Sequence, residues 1–268
     1  MRARPDDRGS RPQRWQAILE LMSERDRLTV ADASAALRTS AATIRRDFAS
    51  MAEQQLVTRI HGGVVATTLA YRVPSRSRDD DVTRERLATA AANLVTPGLV
   101  VGLNGGRTTT EIARRISTRP DLAERIEVEY DVTVVTNAIN IVAELVLRPH
   151  IRAVCLGGVA RARRYQLTGQ LTLGALDQVW VDLLFLSVDG IAADTGATTV
   201  DETEAHIASR MTERAKHVVI VGSGNKVGRR TYATVCASDE IQHLITDASA
   251  DPRHVADLRA MGVKVDVL

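Results

Sequence analysis

Apolar positions keep one period at the amino end of the chain and another over the rest. Trp15, Ile18, Leu19 and Met22 fall at the spacing of one helix face. Leu28-Thr29-Val30 breaks that period and predicts a short strand, and Asp32 to Leu37 predicts a second, Ala-rich helix. Arg38-Thr39-Ser40 is a polar turn, and Ser40 is a good N-cap for the next helix. The spacing predicts this third helix from Ala41 to Gln54, with Ile44, Phe48 and Met51 on one face. Leu56 to Ile60 and Gly63 to Val65 flank His61-Gly62 as a small hairpin wing.

From Thr83 the pattern changes to apolar strand-like runs alternating with amphipathic helices. The runs are Leu99 to Leu103, Val132 to Val135, Ile151 to Leu156, Leu183 to Val188, Val218 to Val221 and Leu244-Ile245. Several are apolar throughout, which suits strands covered on both faces and predicts an α/β fold with a mainly parallel sheet. The chain thus divides into a flexible leader (1–12), a small winged helix-turn-helix domain (13–66), a linker (67–82) containing Pro74 and the run Arg76 to Asp81, and a larger α/β domain (83–268).

Composition narrows the class. No apolar run reaches the roughly 18 residues a membrane helix needs, and the amino terminus lacks the apolar stretch of a signal peptide, so a soluble cytoplasmic protein with no membrane partner is expected. With only Cys155 and Cys236, and six His scattered without ligand spacing, neither a disulfide framework, a metal site nor a cofactor is expected. The net charge of +2 is uneven: Met1 to Ala66 carries 11 Arg against 8 acidic residues. A modestly positive end on a neutral body fits contact with nucleic acid. In that end, Ala42, Thr43, Arg45 and Arg46 are left facing away from the small core, where Arg can pair with guanine and Thr can touch a phosphate or a thymine methyl. Arg59 and His61 sit in and at the tip of the wing, placed for backbone or minor groove. Spacing alone leaves a solvated helix face in a dimerisation module as an equal alternative.

The stretch Thr39-Ser40-Ala41-Ala42-Thr43-Ile44-Arg45-Arg46-Asp47-Phe48, followed by Thr58-Arg59-Ile60-His61-Gly62-Gly63, resembles the signature of DeoR-family bacterial regulators. That resemblance implies DNA contact by Ser40, Thr43, Arg45 and Arg46, with Arg59 and His61 near it. It also implies a regulator, usually a repressor, acting on double-stranded operator DNA as a dimer or tetramer. The chain departs from the family pattern at Ala33, Thr39 and Gln55; a Gln held at positive φ where Gly is usual would cost energy.

In the larger domain, Asn104-Gly105-Gly106-Arg107-Thr108-Thr109-Thr110 follows a strand and opens a helix, offering backbone N–H groups, hydroxyls and the helix dipole to an anion. Thr136-Asn137, Gly157-Gly158, Asp189-Gly190 and Asn225-Lys226 also follow strands, so five segments are expected to line one pocket at one sheet edge. These pieces resemble the DeoR sensor domain, which is related to ribose phosphate isomerase and binds phosphorylated sugars. The resemblance implies that the Gly/Thr loop holds phosphate, that Asp189, Glu202 or Glu204 accepts sugar hydroxyls, and that Lys226 counters the ligand's charge. Asn104 and Arg107 replace the family's usual Asp and Thr and make the loop more positive. An isomerase-like enzyme is the competing reading. The isomerase relatives carry an acidic cluster beginning Asp-Gly and a lysine shortly after it; here Ile191-Ala192-Ala193 follows Asp189-Gly190, and the first lysine of the chain is Lys216, so both the cluster and the catalytic lysine are missing.

Overall fold

A computed structural model describes residues 11–23, 27–53, 56–66, 78–122, 130–161 and 165–268. The chain forms two compact units, 1–68 and 69–268. Residues 1–10 of the leader, Gln54 and Gln55, residues 67–77 of the linker and the side chain of Leu19 lie outside the described residues, while Arg11 and Pro12, read as leader, open the first helix.

The first unit runs α1 (Arg11–Ser23), β1 (Arg27–Thr29), α2 (Val30–Ala36), α3 (Ala41–Glu53), β2 (Val57–Ile60) and β3 (Gly63–Ala66). Pro12 falls in the first turn of α1, where its missing N–H costs nothing. Helix α2 starts two residues before the expected Asp32, because Thr29 caps it: its Oγ1 accepts from Asp32 N at 3.1 Å. Val30, read as strand, is therefore the first helical residue. The hairpin β2–β3 is antiparallel, and β1 adds to its other edge. Ile18, Leu28, Ala33, Ile44, Met51 and Val64 are fully buried in one small core.

The second unit begins with α4 (Arg78–Ala92), so residues 78–82, read as linker, are its first turn and a half. A run of acids looks like loop, but Asp80 and Asp81 at a helix start complement the dipole, and Leu87, Ala88, Ala91 and Ala92 bury the face beyond them. The order continues β4 (Val100–Leu103), α5 (Arg107–Ser117), β5 (Val132–Thr136), α6 (Ile139–Leu145), β6 (Ile151–Cys155), β7 (Val159–Arg161), β8 (Gln166–Thr168), α7 (Gln170–Leu176) and β9 (Val181–Leu186). It closes with β10 (Gly190–Ala192), β11 (Gly196–Thr199), α8 (Glu202–Glu213), β12 (Ala215–Val221), β13 (Ala233–Cys236), β14 (His243–Thr246), α9 (Pro252–Ala260) and β15 (Lys264–Val267).

Seven strands make one sheet in the order β15-β14-β12-β9-β4-β5-β6, every neighbouring pair parallel. Along β9, Leu183 and Phe185 face one core with α4, α5 and α6, while Leu184 and Leu186 face another with α7, α8 and α9. Strand β12 alternates likewise, Val219 and Val221 against Val218 and Ile220. Helices on both faces explain why these strands read as unbroken apolar runs. From β4 the chain builds outward through β5 and β6, then returns to β9 on the other side of β4 and builds the opposite way. The gap beyond the carboxyl ends of β4 and β9 is thus a topological switch point, where open α/β sheets place ligands.

Candidate functional site

In α3, Ile44, Asp47, Phe48 and Met51 are buried, and Ala42, Arg45 and Arg46 stand exposed on the other side. Ser40 caps the helix: Thr43 N donates to its Oγ at 3.2 Å, and the two hydroxyl oxygens lie 2.9 Å apart. Both hydroxyls therefore set the helix start as well as facing solvent. The wing is built on two glycines with different jobs. Gly62 sits at φ +77°, which only Gly adopts cheaply, and a Cβ on Gly63 would lie 2.4 Å from the Leu28 carbonyl oxygen. Gly62 O accepts from Val30 N at 3.0 Å, and Arg27 Nη2 donates to His61 O at 2.8 Å, so β1 holds the turn. Arg59 and His61 are exposed on the wing. Between α2, the start of α3 and Gly62 lies an open cleft of about 540 Å³, lined in part by Ser34, Ala41 and Arg45.

Asp47 carries no role in the sequence reading, yet it holds this unit together. Its carboxylate is 3% exposed and accepts from Arg14 Nε at 2.9 Å, Arg14 Nη2 at 3.2 Å and Trp15 Nε1 at 3.2 Å. The acid of the Arg-Arg-Asp run thus points inward and ties α1 to α3. Its proximity also pushes the Arg14 guanidinium further up, first through the hydrogen bond. Its spacing with Ile44, Phe48 and Met51 puts Asp47 on the buried face of α3, but only the fold shows that Arg14 and Trp15 meet it there.

In the second unit, the loop after β4 meets the loop after β9. Asn104 Nδ2 donates to Ser187 O at 3.0 Å, and Ser187 N donates to Asn104 Oδ1 at 2.9 Å. An Asp there could accept but not donate, so Asn104 is a clasp between two strand ends and spends both of its polar atoms on it. Gly106 allows the approach, since a Cβ would come 3.0 Å from that of Ser187. Helix α5 opens at Gly106 with no side-chain cap, leaving the first N–H groups to an anion. Arg107 is exposed at its first position. Thr108 and Thr109 are buried, and Thr109 Oγ1 donates to Gly106 O at 3.1 Å.

The turn after β5 joins the same place. Gln166 on β8 reaches across, donating to Gly105 O at 3.3 Å, and a Cβ on Gly105 would lie 2.3 Å from its Cγ. Asn137 Nδ2 donates to Leu167 O at 3.1 Å, while its buried Oδ1 has no hydrogen-bond partner. Thr136 is turned to structure instead: fully buried, its Oγ1 accepts from Ala138 N at 3.0 Å. Lys226 Nζ donates to Val188 O at 2.6 Å, which brings the turn after β12 against the end of β9. Burial pushes the Lys226 amine below its ordinary range; Asp189 opposes that shift, and Arg107, Arg229 and Arg84 add to it. Asp189 Oδ2 is engaged by Thr199 Oγ1 at 2.9 Å and Val200 N at 3.1 Å.

The other expected positions serve different ends. Gly157 O accepts from Thr172 Oγ1 at 2.6 Å, and Gly158, at φ +141°, lies so close to Thr172 that a Cβ would come within 2.1 Å of its hydroxyl. These glycines seat α7 against the β7–β8 hairpin. Glu202 is exposed and Glu204 half-buried in the first turn of α8, whose N-cap is Asp201, bonded to Thr203 N, Glu204 N and Arg161 Nη1. Gln166 and Ser187 are the residues of this junction that sequence reasoning missed. They stand outside the Gly- and Thr-rich turns, so only strand order could have found them. Among the described residues no group of His, Cys, Asp and Glu could hold a metal ion, and no helix is long and apolar enough to cross a membrane.

A winged helix-turn-helix unit followed in the chain by a parallel α/β unit whose loops meet at a switch point has the make-up of a DNA-binding regulator. Known proteins agree. Residues 14–69 match the DeoR-like helix-turn-helix domain, and residues 80–248 match the DeoR C terminal sensor domain. The chain belongs to the DeoR family, and it is a DNA-binding transcriptional regulator, not an enzyme. It is 30% identical over 256 residues to the HTH-type transcriptional regulator GlpR of Haloferax volcanii, spanning 94% of this chain and 96% of that protein. It is 26% identical over 238 residues to the glycerol-3-phosphate regulon repressor of Escherichia coli, spanning 88% and 90%. Among solved structures, the full-length sorbitol operon regulator SorC of Klebsiella pneumoniae aligns over 93% of this chain and 99% of its own, at 12% identity and a TM-score of 0.40.

Proposed function

We propose that the chain represses carbohydrate-metabolism genes in the cytoplasm, binding double-stranded operator DNA as a dimer or tetramer under the control of a phosphorylated sugar. The observation that carries the reading is the joining of the β4, β5, β9 and β12 loops at the switch point, with Lys226 and Arg107 beside an uncapped helix start. The phosphate takes the Gly105–Thr109 loop, Arg107 and Lys226. The sugar hydroxyls take Asp189 and Asn137, whose orphaned oxygen needs a donor. On the DNA side, Arg45 and Arg46 enter the major groove, Ser40 and Thr43 touch the backbone beside it, and Arg59 and His61 meet phosphates at the wing.

Because effector and DNA bind one protein with two conformations, each changes the other's affinity by the same factor. The test is a gel shift on the DNA upstream of the chain's own gene, with and without candidate sugar phosphates. Arg45→Ala and Arg46→Ala should each weaken binding by about 1–3 kcal/mol and change its salt dependence. Unchanged affinity and salt slope in both variants would remove the recognition assignment.

A further inference from the structure

Helix α4 leads from the DNA-binding unit's side of the chain into the sheet, and its orientation is set by its ends. Its last turn is held by Arg119, which donates to Ala92 O and to Val95 O at 2.5 and 2.7 Å from just beyond the end of α5. The chain then enters the amino end of β4. The start of α4 therefore lies toward the carboxyl ends of the strands, the edge that carries the pocket. Arg84 precedes Leu87, Ala88 and Ala91 by three, four and seven residues, so it belongs to the stripe that buries against the sheet. Its side chain is only 18% exposed. Helical side chains lean toward the helix start, which carries its guanidinium toward that end of α4. There Nη1 donates to Asp81 Oδ1 at 2.5 Å, an acid that is half exposed. Arg84 also lies near enough to Lys226 to disfavour its positive charge.

We propose that Arg84 is a further anion-binding residue of the sensor pocket, and that the effector's phosphate competes with Asp81 for it. This rests on the reading of the pocket as a phosphate site. Without ligand, Arg84 is held by Asp81 one turn earlier on the same helix. With phosphate beside Lys226 and Arg107, Arg84 exchanges one carboxylate for a more highly charged anion. The first turn of α4 then loses the ion pair that clamps it. Binding is thereby converted into a change at the helix nearest the linker.

The test titrates full-length protein with inorganic phosphate and monitors thermal unfolding, because a ligand of the native state raises its stability. Wild type should be stabilised, and Lys226→Met should lose the response. Arg84→Gln should weaken apparent phosphate affinity by about tenfold, the loss of one charge-assisted contact, with Arg84→Lys restoring part of it. Asp81→Asn should strengthen phosphate binding, because it removes the competitor. A purely structural ion pair predicts the same sign for Arg84→Gln and Asp81→Asn, so the opposite signs are the discriminating result. If both variants weaken binding, or neither moves it while Lys226→Met abolishes it, Arg84 has no such role and the pocket reading stands. A wild-type protein indifferent to phosphate overturns both.

Discussion

Replacing Asp47 by Ala tests whether the DNA-reading unit is held by a buried carboxylate. The substitution removes three hydrogen bonds, two from Arg14 and one from the Trp15 indole. Hydrogen bonds to a charged group contribute about 1.5–3 kcal/mol each, and members of one network do not add fully. Arg14 stays 17% exposed and regains some hydration, which limits the loss. A net cost of about 2–4 kcal/mol results, in line with breaking a mostly buried pair from one side. At about 0.05–0.15 kcal/mol per residue, a unit of this size has only about 3–10 kcal/mol in all. Its melting midpoint should therefore fall by about 10–20 °C. The chain has two tryptophans, so a Trp180→Phe background leaves Trp15 as the sole emitter, beside the bond being cut. Thermal unfolding read by that fluorescence, alongside operator affinity, reports the effect while the α/β unit stays folded. A shift under about 3 °C, the range of an ordinary surface change, would refute the claim that Asp47 joins α1 to α3.

The same geometry gives further expected outcomes. Gly63→Ala should disrupt the pairing of β1 with β3, since its Cβ would sit 2.4 Å from backbone that cannot yield; a loss of about 2 kcal/mol or more and weakened operator binding are expected by urea unfolding and gel shift. Gly105→Ala drives Gln166 off the Gly105 carbonyl, so phosphate stabilisation in thermal shift should fall while overall folding, read by circular dichroism, persists. Burial lowers the folded-state value of Lys226 below 10.5, so between that lowered value and 10.5 the unfolded chain binds more protons. Stability of the α/β unit should rise with pH across that window, and Lys226→Met should flatten the rise in denaturant titrations at a series of alkaline pH values. Over the same window phosphate binding should weaken with pH, because the anion needs the charged amine.

The sequence determined what depends on local order. A 3.6-residue period, Ser40 ahead of a helix and His-Gly-Gly between two short apolar runs are enough for a winged helix-turn-helix, because each signal lies within one element and its caps. Uninterrupted apolar runs separated by amphipathic segments are enough for a parallel sheet covered on both faces. Motif spacing carried the family. Strands β7, β8, β10, β11, β13 and β15 were not legible, being short or partly polar and stabilised by neighbours distant in the chain. Tertiary structure alone decided which loops meet. Strand order set β9 beside β4, and so Asn104 with Ser187, Gln166 with Gly105 and Lys226 with Val188. It likewise set Arg14 and Trp15 against Asp47. A side chain's partner depends on backbone segments brought together by burial of both sheet faces, and that burial is a property of the whole fold rather than of any stretch of residues.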